Sequence, residues 1–203
     1  CQDVGTFNAT IDWGDSGPTS TITTFDDADL AHTFATAGTY TVSITGSFPN
    51  VYFNNTGASR LLVTGVVLGD VGWSTLFRSF YGCTNMTSFD ASTTDTSNVT
   101  SLNGMFLGCT GLTGALNLTG MDTSSVQNVG MVFQSCTGLT SIDVSGWDAS
   151  SFTTTFSMFS GCSNVTSINT TGWVPTTNLT SMYSMFQGCN DLSAVDVDGW
   201  NVS

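Results

Sequence analysis

Met158-Phe159-Ser160-Gly161-Cys162 and, 27 residues on, Met185-Phe186-Gln187-Gly188-Cys189 are two copies of one pattern. Reading outward, the same pattern stands at Val132-Phe133-Gln134-Ser135-Cys136, at Met105-Phe106-Leu107-Gly108-Cys109 and at Ser79-Phe80-Tyr81-Gly82-Cys83. The spacings between successive cysteines are 26, 27, 26 and 27 residues. Three residues after each Cys comes Met86, Leu112, Leu139, Val165 or Leu192, and ten before it comes Trp73, Val99, Val126, Phe152 or Leu179. A fixed period of this length marks an array of stacked units, because one such unit cannot bury its own apolar face and its neighbours must do so.

Within a unit, Leu139-Thr140-Ser141-Ile142-Asp143-Val144 alternates apolar and polar residues, the period of a half-buried strand. Gly146-Trp147 then turns the chain, as do Gly172-Trp173 and Gly199-Trp200. Met182, Met185 and Phe186 at i, i+3 and i+4 predict one or two turns of helix ending near Gly188. Stacking predicts a parallel sheet with a ladder of Phe80, Phe106, Phe133, Phe159 and Phe186 beside a ladder of Cys83, Cys109, Cys136, Cys162 and Cys189. Parallel side-chain vectors in a stack suit buried thiols better than disulfides, whose Cβ atoms must approach to about 3.8 Å. One or more bridges is the alternative.

The composition excludes several functions. Only 8% of the 203 residues are charged, with two basic and fifteen acidic, a net charge of −13. Two cations cannot track a phosphate backbone, so nucleic acid is not a partner, and docking on an anionic membrane fails for the same reason. No run of about 20 apolar residues is present to span a bilayer. One histidine and two arginines leave little acid–base chemistry, and no enzyme is expected. No charged and apolar leader opens the sequence, so any signal peptide is expected to have been removed. A surface polar through Ser, Thr, Asn and Gly points to an extracellular or cell-surface protein. Cys1 stands apart, as a lipid attachment point or as a partner for a residue outside the repeats.

Residues 1–46 differ in character. Phe7 to Trp13 alternates like a strand, Thr19 to Phe25 suggests a second, and His32 to Ile44 reads as strand, turn at Ala37-Gly38, and strand. The stretches Ile11-Asp12-Trp13-Gly14-Asp15-Ser16-Gly17 and His32-Thr33-Phe34 through Gly38-Thr39-Tyr40-Thr41-Val42-Ser43-Ile44 resemble the second half of a polycystic-kidney-disease-type (PKD) β-sandwich. The following residues from Gly46-Ser47-Phe48-Pro49 and the repeats, such as Leu139 to Asp148, resemble BspA-like leucine-rich-repeat surface proteins of bacteria. The resemblance implies a mainly β fold with short helices. A partial PKD or Ig-like cap at 1–46 would precede a leucine-rich-repeat-like solenoid at 47–203, of about five coils with the last incomplete.

Each chemical candidate has a plainer alternative. Asp12, Asp15, Asp26, Asp27 and Asp29 are the densest carboxylates; calcium is the candidate cation, and turn carboxylates bonding local N–H groups are the alternative. His32 is expected to be packed or hydrogen-bonded, since no Ser–His–Asp spacing accompanies it. N-x-S/T sequons stand at Asn8, Asn54, Asn85, Asn98, Asn117, Asn164, Asn169, Asn178 and Asn201. They are glycan acceptors in a secreted glycoprotein, or a by-product of apolar residues between polar neighbours. Trp147, Trp173 and Trp200 either pack between coils or form a binding stripe.

The resemblance implies adhesion or attachment to a host or matrix protein or a glycan through one face. The alternative is a structural subunit of a filament, sheath or surface layer. Copies would then join end to end through the unfinished coil at Gly199, Trp200, Asn201, Val202 and Ser203 and the N-terminal cap.

Overall fold

Ala9 and Ile11 are buried while Asn8, Thr10 and Asp12 face solvent, so β1 (Asn8–Asp12) has one wet and one dry face. In this computed structural model, which describes residues 5–53, 58–113, 116–174, 176–195, 197 and 200, β1 is the middle strand of an antiparallel sheet. It pairs with β2 (Ser20–Ile22) on one side and β3 (Ser43–Ser47) on the other. Phe7 meets Phe48 edge-on at 5.3 Å under the buried face.

The hairpin expected over His32 to Ile44 does not form. Phe34 stacks on Tyr40 at 4.2 Å, and the Tyr40 hydroxyl donates to the Thr36 carbonyl at 2.9 Å. These contacts fold residues 32–41 upon themselves and leave only β3 to join the sheet. A single open three-stranded sheet is not half of a sandwich, so the resemblance to a PKD or Ig-like cap does not hold.

The repeats supply six further short strands in two parallel sheets. β4 (Gly65–Val67), β5 (Ser88–Asp90) and β6 (Leu116–Asn117) form one. β7 (Ser141–Asp143), β8 (Ser167–Asn169) and β9 (Ala194–Val195) form the other. On the opposite side of each unit, single parallel bridges link Ser101, Asn128, Thr154 and Ser181 in a column.

Among the described residues there is no α-helix, only two 3₁₀ turns at Ala28–Leu30 and Ser59–Leu61. The helix expected over Met182, Met185 and Phe186 is replaced by a different backbone. The residue five before each repeat cysteine (Arg78, Gly104, Met131, Ser157, Ser184) has positive φ, between 50° and 64°. The residue immediately before each of the five cysteines (Gly82, Gly108, Ser135, Gly161, Gly188) is left-handed too. Two left-handed residues four apart cannot sit in a right-handed helix. Alternate N–H groups therefore leave the unit: Met131, Phe133 and Ser135 donate to the carbonyls of Phe156, Met158 and Ser160 in the next one. The intervening Gln134 and Cys136 close turns to residues three back, whereas an α-helix bonds four back.

The leucine-rich-repeat solenoid with short helices, and with it the BspA-like resemblance, is corrected by these observations. The chain has three separate three-stranded sheets, each open at both edges, joined by turns that hydrogen-bond from one repeat to the next.

Candidate functional site

The phenylalanines form a continuous stack. Phe80–Phe106, Phe106–Phe133, Phe133–Phe159 and Phe159–Phe186 have ring centroids 6.0, 5.7, 5.7 and 5.6 Å apart. Beside it run the cysteines, unpaired as thiols. Each thiol from Cys109 onward donates to the carbonyl of the phenylalanine in the preceding repeat: Cys109 to Phe80, Cys136 to Phe106, Cys162 to Phe133 and Cys189 to Phe159, at 2.9 to 3.1 Å. Burial pushes the thiols of Cys83 and Cys162 up to about 12 and that of Cys136 well above the ordinary range. Thiols so placed are poor nucleophiles. Cys1 lies outside the described residues.

The carboxylates expected as cation ligands are engaged in turns. Asp12 accepts from the Gly14 N–H at 2.8 Å, and Asp15 from the Gly17 N–H at 3.0 Å. Asp27 accepts from the Thr23 and Asp29 N–H groups, which hold its carboxyl below the usual range. Asp26 and Asp29 do not join a common cage, and among the described residues no group of three or more His, Cys, Asp or Glu side chains could hold a metal ion. His32 stacks flat on Trp13 at 4.7 Å, with Nε2 2.8 Å from Asp15 Oδ2. That bond, with the Gly17 N–H, keeps the Asp15 carboxyl low.

The tryptophans turn inward. Trp147 and Trp173 are buried and Trp200 is half-buried, stacked on Trp173 at 5.8 Å. Of the sequons, Asn8, Asn85, Asn98, Asn164 and Asn178 are exposed and Asn117 and Asn169 half-buried. The amide nitrogens of Asn85 and Asn164 donate to the carbonyls of Leu61 and Thr137 in the preceding repeats. Asn54 and Asn201 lie outside the described residues, as do Gly199, Val202 and Ser203 of the expected assembly end.

Two features were not anticipated. One is a polar grid on the outer strand face. Ser141 and Ser167 sit side by side in register and exposed, and at the next outward position exposed Asp143 sits beside half-buried Asn169. Thr166 and Ser193 fix their hydroxyls on the carbonyls of Thr140 and Thr166 below them. The other is a groove of about 310 Å³ between β6 and β7, bounded by Leu116, Leu118, Asp143, Gly146 and Trp147. Its signal is one extra residue: Leu116 stands seven positions after Cys109, whereas the equivalent Phe89, Ile142 and Ile168 stand six after their cysteines.

Residues 74–200, more than half of the chain, match the family described as "Mycoplasma protein of unknown function, DUF285". The chain belongs to this family. Comparison with curated proteins and with solved structures finds no match. The DUF285 span takes in all five repeat cysteines, the Phe stack, the polar grid and the groove, and leaves the antiparallel sheet of β1, β2 and β3 outside it.

Proposed function

We infer that this DUF285 chain is a non-enzymatic attachment protein that works outside the cell and presents the outer strand face of its repeats to a host or matrix protein or a glycan. The observation that carries this reading is the pre-set polar grid of Ser141, Ser167, Asp143 and Asn169. Asp143 Oδ1 already accepts from the Ser145 N–H and hydroxyl, and Asn169 Oδ1 from the Thr171 N–H. Side chains ordered before a partner arrives lose little entropy on binding. Two further observations favour a non-catalytic role in an oxidising place. The repeat thiols are shielded and pushed up, and His32 is taken up by Asp15 and Trp13.

The test is a screen of the purified chain against immobilised glycans and matrix proteins, with Ser167→Arg as the variant. Ser167 is exposed at the middle of the grid, so the substitution leaves the core intact. Binding that Ser167→Arg abolishes, with the circular dichroism unchanged, supports the reading. Binding indifferent to Ser167→Arg, or filaments in the electron microscope with no binding in the screen, overturns it.

A further inference from the structure

The strand ladder runs unbroken from β4 to β6 and from β7 to β9, and stops between β6 and β7. On one side of the break Ala91 N–H donates to the Asn117 carbonyl at 2.9 Å, and on the other Val144 N–H donates to the Asn169 carbonyl at 3.0 Å. Among the described residues the corresponding bond, from Leu118 N–H to the Asp143 carbonyl, is not made. The tryptophans repeat the difference. Trp173 donates its indole N–H to the Val144 carbonyl, 29 residues back, at 2.8 Å. The equivalent acceptor for Trp147 is Leu118, on the far wall of the groove, and the Trp147 indole nitrogen has no partner although the residue is only 3% exposed. A buried donor left in this state is unfavourable, and it marks the wall of the groove as incompletely paired.

The chemistry of the vacant groups identifies the occupant. The polar side chains at the rim are already engaged: Asp143 Oδ1 by Ser145, and Asn117 Oδ1 by the N–H and hydroxyl of Thr119. What remains is the Leu118 backbone N–H on one wall and the Asp143 backbone carbonyl on the other, with the Trp147 indole N–H buried beneath them. That is the complement of a polypeptide main chain in extended form, which carries both donors and acceptors along its edges. Gly146 leaves nothing within 4 Å of where a Cβ would stand, so the floor has room. Charge adds a preference. The Asp143 carboxyl is held below the usual range by Ser145, and the chain carries −13. We propose that the groove between β6 and β7 binds one extended, Lys- or Arg-bearing polypeptide segment by main-chain pairing. This site adjoins the outer polar face and shares Asp143 with it, but the main-chain pairing proposed here does not rest on that reading.

The test uses the full chain labelled with ¹⁵N and two short synthetic peptides, one of alternating Val and Lys and one of alternating Val and Glu. The Val/Lys peptide is expected to bind and shift the Trp147 indole N–H resonance, assigned from its loss in Trp147→Phe. Gly146→Leu adds a side chain whose Cβ has nothing within 4 Å, and is expected to weaken binding by about tenfold or more. A Val/Lys peptide methylated on its backbone nitrogens is expected not to bind. No indole shift with either peptide overturns the proposal, as does binding unchanged in Gly146→Leu. Equal binding of the Val/Glu peptide overturns the charge preference, and an indole shift with free glucose but not with peptide overturns the main-chain assignment.

Discussion

The Cys136 thiol donates to the Phe106 carbonyl, 30 residues earlier, at 3.1 Å, and the same carbonyl accepts the Cys109 N–H at 2.9 Å. One oxygen thus closes a turn in its own repeat and ties the next repeat down, using both lone pairs. Only a small side chain with a weak donor fits this interior position, which explains cysteine without disulfide or metal. Cys136→Ala removes the tie but leaves the carbonyl its backbone donor, so no acceptor is orphaned. The expected loss is about 1–2 kcal/mol, read as a lower urea midpoint. An unchanged midpoint would show that the bond carries no stability.

Raised thiols make alkali destabilising. In the unfolded chain a thiol ionises near its ordinary 9.0, whereas Cys162 in the folded chain holds its proton to about 12. Between these limits the unfolded state binds fewer protons, so stability is full below pH 9 and declines as pH rises towards 12. Each fully shielded thiol contributes at most about 1.4 kcal/mol per pH unit to that slope. Urea midpoints measured from neutral to alkaline pH are expected to fall steeply in the native chain and less steeply in Cys162→Ala. Among the repeat cysteines, alkylation with iodoacetamide is expected to reach half-buried Cys189 first.

Ser135 is the odd member of its column. It holds φ 61° where Gly82, Gly108, Gly161 and Gly188 stand before the other repeat cysteines. Ser135→Gly relieves the left-handed penalty at the cost of some unfolded-state entropy, for a net gain of up to about 1 kcal/mol. Thermal unfolding measures it, and a lower melting temperature would mean that the serine side chain stabilises more than its backbone strains.

The repeat period was legible because each backbone rung needs an equivalent residue in the next unit, which keeps Phe80, Phe106, Phe133, Phe159 and Phe186 in step. The helix was a misreading because Met182, Met185 and Phe186 fit two backbones. Gly188, before Cys189, fits a helix end as well as it fits the left-handed turn it makes. The left-handed residues Arg78, Met131, Ser157 and Ser184, five before their cysteines, carry side chains that hide the conformation. The PKD-like strand at His32 failed because alternation cannot foresee that Phe34 stacks on Tyr40. The groove was written in the extra residue before Leu116, but a register slip is visible only once the strands are paired.

The stack itself sets the cooperativity of the repeats. Phe133 lies between Phe106 and Phe159, with both ring centroids 5.7 Å away and Trp147 at 6.1 Å. Phe133→Ala is expected to cost about 3–5 kcal/mol. Units that touch only their neighbours fold as a chain of coupled elements, so the loss falls on the junction between the repeats of Cys109 and Cys136. Hydrogen exchange is expected to rise first at the Phe106 and Gly108 amides, which bond forward to Val132 and Gln134. Uniform loss of protection from Leu76 to Gln187 would instead mean that the repeats unfold as one unit.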